Sequence, residues 1–153
     1  MRKLGSGAFA EVYGRDNWRR VIKIGHKWDS YLKYVQLIGL LNPNPYFPQI
    51  YHVHMYVHEG DHYYMIEMEK LLRWKSIPTR FRDQALEKLG CESLWQADRP
   101  RLAEDSGRHE EELARVLRKL YYKNQGGSDV HFNNVMWRKK GRGYEMVYTD
   151  PVA

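Results

Sequence analysis

Leu4-Gly5-Ser6-Gly7-Ala8-Phe9-Ala10-Glu11-Val12-Tyr13 and, shortly after it, Arg19-Arg20-Val21-Ile22-Lys23-Ile24-Gly25 set the expectation for the fold. The first stretch follows a Gly-x-Gly-x-x-[Gly/Ala]-x-Val pattern with Ala10 at the third small position. Glycines let a backbone turn approach a phosphate where a side chain would collide, and they also serve any tight hairpin. The second stretch reads as a strand with Lys23 embedded among β-branched residues. A strand lysine is ordinarily a solvated edge residue. Its place soon after a glycine hairpin makes it a candidate phosphate ligand.

Working outward, Trp28, Tyr31, Leu32, Val35 and Ile38 are spaced for one face of a helix over 28–41. Asp29 or Ser30 suits its start, and Asn42-Pro43-Asn44-Pro45 its end. Two strands are expected over 49–57 and 62–68, joined by the turn Glu59-Gly60-Asp61. His52, His54, His58 and His62 invite a zinc reading, but no cysteine lies near and a structural site needs four convergent ligands. The alternation of His52 and His54 with Val53 and Met55 instead describes a half-exposed strand. A helix is expected from Ile77-Pro78 to Leu89, and a second over 110–123 with three glutamates in its first turn. Val135-Met136-Trp137 and residues 144–148 read as a hairpin around Lys139-Lys140-Gly141-Arg142-Gly143.

The C-terminal third also carries Gly127-Ser128-Asp129-Val130-His131-Phe132-Asn133-Asn134 and Thr149-Asp150-Pro151. Asp129, Asn134 and Asp150 combine two acids and an amide, a set suited to one magnesium-phosphate site, because phosphoryl transfer demands positioning and neutralisation of charge. The Asp-x4-Asn spacing taken alone arises easily by chance.

Composition bounds the rest. The 153 residues, 42% hydrophobic and 29% charged, describe one soluble globular domain with a real core. Twelve Tyr and five Trp let aromatic packing replace aliphatic packing. The single cysteine, Cys91, excludes an internal disulfide and fits a reducing compartment. No apolar run has the length of a membrane span and no signal-peptide pattern is present, so a cytosolic protein with no membrane partner is expected. The net charge of +6 is dispersed rather than gathered in a stripe, which argues against a nucleic-acid partner.

In its ordered set of Gly5-x-Gly7-x-x-Ala10-x-Val12, Val21-Ile22-Lys23, Asp129-x4-Asn134 and Asp150, the chain resembles the protein-kinase-like superfamily. Lys3-Leu4-Gly5-Ser6-Gly7, Asp129-Val130-His131 and Thr149-Asp150-Pro151-Val152 look most like the early serine/threonine protein kinases of podoviruses. The resemblance implies an α+β, bilobal kinase-like fold. Residues 1–68 would form an N-lobe with an antiparallel sheet and one helix. Residues 69–72 would be a hinge, and 73–153 a shortened helical C-lobe with the catalytic loop, ending just after the metal-binding motif at Asp150. It implies ATP and Mg²⁺ as cofactors and host proteins as substrates in the host cytoplasm. Asp129 would be the catalytic base, and Lys23 would hold phosphates. Asn134 and Asp150 would bind metal. Gly5, Ser6, Gly7, Ala8 and Val12 would cover the nucleotide, with Ile66, Glu67 and Glu69 at the adenine.

The chain departs from that family in several places. Helix 28–41 has no glutamate to pair with Lys23, leaving Gln36 or Asp29. Gly127-Ser128 stands where His-Arg is usual, and Pro151-Val152 where Phe-Gly is usual. The chain stops three residues after Asp150, without an activation segment. Two alternatives stay open on these departures. One is an inactive pseudokinase that binds and inhibits a host protein. The other is a small-molecule phosphotransferase, since Asp129-x-His131-x-x-Asn134 is also similar to the loop of aminoglycoside and choline kinases.

Overall fold

The computed structural model describes residues 1–26, 30–39, 47–88 and 135–150. They belong to two compact units, one comprising residues 1–43 and 49–70, the other residues 44–48 and 71–153.

The first unit is built on a five-stranded antiparallel sheet. Its strands are β1 (Arg2–Ser6), β2 (Ala10–Gly14), β3 (Arg20–His26), β4 (Ile50–His58) and β5 (Asp61–Glu69), in the spatial order β1-β2-β3-β5-β4. Helix α1 (Ser30–Gly39) joins β3 to the β4–β5 hairpin. Tyr31, Leu32, Tyr34, Val35 and Ile38 are buried while Lys33 and Gln36 are exposed, the 3.6-residue stripe that its sequence carries. The stripe packs on one face of the sheet. Tyr31 donates its hydroxyl to Met68 Sδ at 3.4 Å and its ring lies 6.3 Å from that of Tyr64. Val21, Tyr64, Ile66 and Met68 are buried on the same sheet face.

Local signals account for the turns. Glu59 and Gly60 have φ of 50° and 83°, so both central residues of the two-residue β4–β5 loop are left-handed, as the twist of a tight hairpin requires. A bulge breaks the β1–β2 register between Lys3 and Gly5. The Gly7 amide closes the following turn on the Ala10 carbonyl at 2.8 Å.

In the second unit, β6 (Val135–Lys140) and β7 (Gly143–Tyr148) form a hairpin with Gly141 at φ 57° in its two-residue loop. The strands run closer to the turn than the sequence pattern implies. A one-turn 3₁₀ helix (Trp74–Ser76) and α2 (Thr79–Lys88) precede it in the chain. Ile77 and Trp137 form its core, with Trp74, Phe81, Tyr144 and Met146 packed around them. Leu72 and Trp137 exchange backbone hydrogen bonds at 2.8 and 2.9 Å, and Arg138 Nη2 donates to the Phe47 carbonyl at 3.0 Å.

This architecture corrects the expected fold. The described residues form two open antiparallel sheets with two helices of ten residues each, not a bilobal kinase-like fold with a helical C-lobe. The strand lysine that suggested that fold stands over the Tyr31 ring in this sheet. The expected helix 110–123 lies outside the described residues.

Candidate functional site

Four of the residues singled out in the N-terminal third, Gly5, Val12, Lys23 and Ile66, fall on one transverse row of the sheet. Gly5 lies opposite Val12, Val12 opposite Lys23, Lys23 opposite Ile66, and Ile66 opposite Val53. Ile66 is fully buried, and the Lys23 ammonium stands 3.1 Å from the centroid of the Tyr31 ring. A lysine stem along apolar surface with its cation on an aromatic face is a stabilising arrangement. Gln36, considered as a partner for Lys23, is exposed. Ser6 ends β1, and Gly7 and Ala8 belong to the turn after it. Glu67 pairs with Arg20 at 2.8 Å, and Glu69 accepts from the Gln49 amide at 3.2 Å. Asp150 follows β7 and is half-buried. Asp129 and Asn134 lie outside the described residues.

No family model matches the chain, and no curated protein matches its sequence. Among the described residues no three His, Cys, Asp or Glu side chains gather where they would hold a metal ion. These findings, with the fold, overturn the kinase reading. The identification with podoviral serine/threonine kinases, the phosphotransferase activity and the pseudokinase and small-molecule alternatives built on the same family are withdrawn. The expectation of ATP and Mg²⁺ rests on that resemblance and on a magnesium-phosphate set of which Asp129 and Asn134 lie outside the described residues.

The structure draws attention elsewhere, to the edges of the first sheet. At one edge β1 is five residues long, bulged and charged. Arg2 pairs with Asp16, and Lys3 pairs with Glu11, which also accepts from the Tyr13 hydroxyl at 2.5 Å. The Lys3 hydrogen bond, and then that of Tyr13, hold the Glu11 carboxyl below its ordinary range, while Glu11 raises Lys3 and Tyr13. Shortness, a bulge and charge are the usual guards of an edge strand.

At the other edge β4 has none of these in its outer half. It is nine residues long and pairs only with β5 among the described residues. Its sequence, Ile50-Tyr51-His52-Val53-His54-Met55-Tyr56-Val57-His58, contains no Lys, Arg, Asp, Glu or Pro. The irregularity between Ile50 and His52 leaves a regular ladder from His52 to His58.

Its side chains are exposed on both faces. Val53 lies opposite Ile66 and Met55 opposite Tyr64, so both share the face that α1 covers elsewhere. Yet Tyr51, Val53, Met55 and Val57 are 38, 38, 43 and 60% exposed. Of the large apolar residues exposed among those described, these four lie on one strand and the others (Met1, Phe9 and Leu72) are scattered. Scattered apolar residues need no explanation, whereas a contiguous group on an unguarded edge does.

On the opposite face His52 and His54 are exposed and their rings are stacked 6.2 Å apart. Tyr56 stacks on Tyr63 at 5.5 Å. Arg20 lies 3.9 Å above the Tyr51 ring and is also bonded to Glu67, which raises its already high pKa. Arg20, the cation beside this face, is engaged by the Glu67 carboxylate.

The sequence pattern predicted the inward alternation of Val53 and Met55 but not their exposure. Periodicity specifies which residues share a face, not whether a helix covers that face. The absence of gatekeeping charge within β4 was the signal available in the sequence.

Proposed function

We propose that this chain is a protein-interaction module that binds an extended polypeptide segment by strand addition at β4. The observation carrying this reading is the pairing of an unguarded edge strand with four exposed apolar side chains on it. An added strand gains main-chain hydrogen bonds along β4. Alternate side chains of the segment gain specificity from Val53, Met55 and Val57 on one face, and from Tyr51, His52, His54 and Tyr56 on the other. The segment that fits is uncharged at its centre and alternates apolar with polar residues, because no charge within β4 answers a charge on the partner. The neighbouring strands give the edge a rigid backing, so little ordering cost falls on the module itself.

The test is selection of short peptides from a displayed library against dilute immobilised protein, compared with the Val53→Lys/Met55→Lys variant. Both positions are exposed, so the variant retains the fold. Alternating, uncharged peptides that bind the wild type and lose at least tenfold in affinity for the variant support the reading. Peptides that bind both proteins equally contradict it.

A further inference from the structure

Cations spread along the chain from Arg73 to Arg142 come together in the second unit. The Phe81 ring of α2 stands edge-on to Tyr144 of β7 at 5.0 Å, which brings Arg80 and Arg82 beside the tip of the β6–β7 hairpin. Trp74 lies 5.5 Å from Trp137 and so holds Lys75 near the same hairpin. Lys139 is opposite Tyr144 and shares its face, and Arg142 sits in the two-residue turn. The spread of charge along the sequence, which argued against a nucleic-acid partner, does not carry over to the fold.

This gathered charge is poorly neutralised. Over 71–84 and 135–150 eight Lys and Arg stand against three Asp and Glu. Glu145 is shared by Arg138 at 2.6 Å and Lys140 at 3.3 Å, so its single charge leaves one cation in surplus. Asp150 follows the end of β7 away from the turn. No carboxylate among the described residues pairs with Lys75, Arg80, Lys139 or Arg142, and all four are exposed. In the first unit, by contrast, Arg2, Lys3 and Arg20 each have a carboxylate partner.

We infer that this basic face binds the phosphate backbone of double-stranded DNA without reading its sequence. Cations from three elements of one small unit suit a polymer with a phosphate at every step, each contact releasing a condensed counterion. The rings among them favour a duplex over a single strand. Arg80 covers the Phe81 ring at 4.7 Å, Arg82 lies 5.9 Å from the Trp74 ring, and both rings pack on Ile77 and Trp137. Bases of a single strand need open aromatic faces to stack on, and these rings are already engaged. A two-stranded ribbon has the width that a major groove admits. A lipid surface would need an exposed apolar side chain among the cations. Of the large exposed apolar residues described only Leu72 belongs to this unit, and it pairs with Trp137, back along β6 from the turn. The face does not involve β4, so it stands or falls apart from the strand-addition reading.

Fluorescence anisotropy with a labelled DNA duplex of about 20 base pairs, followed across a salt series, tests the inference. With four phosphate contacts, affinity is expected to fall about a hundredfold between about 50 and 200 mM salt. Lys139→Gln/Arg142→Gln removes two contacts and should reduce that fall to about tenfold, as should Lys75→Gln/Arg80→Gln. Arg15→Gln/Arg19→Gln takes the same charge from exposed residues of the first unit and should leave the salt dependence of the wild type. A duplex of shuffled sequence should bind equally. Absence of binding at the lowest salt, or an equal loss in the first-unit variant, would overturn the inference. So would tighter binding to the single strand, to polyglutamate or to phosphatidylserine vesicles.

Discussion

The Lys23 ammonium lies on the face of the Tyr31 ring, 3.1 Å from its centroid, where β3 meets α1. The side chain thus ties the helix to the sheet, and its role in this fold is cohesive. Lys23→Met keeps the stem and removes the cation, and is expected to cost about 0.5–2 kcal/mol, the range for a partly desolvated cation–π contact. Urea unfolding measures it. Unchanged stability would show that the cation contributes nothing.

Two glycines in the same unit should respond in opposite directions to alanine. At Gly25 an added methyl would meet the buried Tyr64 ring, with Cζ only 2.5 Å away. Gly25→Ala is therefore expected to destabilise by about 1–3 kcal/mol, as overpacking does. At Gly39, the last residue of α1, nothing lies within 4 Å. Gly39→Ala is expected to stabilise by about 0.4–1 kcal/mol through the unfolded chain. Paired thermal melts of the two variants check both signs.

The β4–β5 loop holds a glutamate in the left-handed region, with Glu59 at φ 50°. Asparagine tolerates that conformation better, and Asn-Gly is the favoured pair for this hairpin. Glu59→Asn should raise stability by about 0.5–1 kcal/mol, a part of the roughly 1–3 kcal/mol that a non-glycine residue in this conformation costs. The His58–Glu59 approach of 3.8 Å between exposed side chains is too weak to offset it.

The Lys3–Glu11–Tyr13 group makes a pH-dependent contribution whose sign follows from the shifts. Glu11 is lowered, first by the Lys3 hydrogen bond and then by Tyr13. Its contribution is present above the ordinary carboxylate range and is lost as pH falls through the depressed value. Lys3 is raised, chiefly by Glu11. Its contribution is present below the ordinary lysine value and is lost as pH rises through the elevated one. The group therefore supports β1 best between these limits. Lys3→Met should move the Glu11 carboxyl titration upward in an NMR pH series. A Glu11 titration that does not move would remove Lys3 as the cause.

Much of the first sheet was legible residue by residue. Strands expected over 49–57 and 62–68 were found at Ile50–His58 and Asp61–Glu69, and the helix expected over 28–41 at Ser30–Gly39. Alternation, the helical stripe and Glu59-Gly60 are local properties, and local properties can be read from a chain. Strand order is not local. That β4 closes the sheet, with its Val53 and Met55 beyond the cover of α1, follows from pairings across distant segments. The kinase-like reading failed at the same level. Gly5, Gly7 and Lys23 are residue types that phosphate sites need, but here a bulged hairpin and a cation on Tyr31 account for them. Asp129 and Asn134, on which the catalytic assignment depended, lie outside the described residues.

Amide hydrogen exchange along β4 tests the central claim most directly. It would be measured on dilute protein with and without a library-selected peptide. Strand addition predicts new protection of amides within 51–57, with those of β1 unchanged. Binding that leaves 51–57 unprotected, or that protects another surface instead, would contradict it.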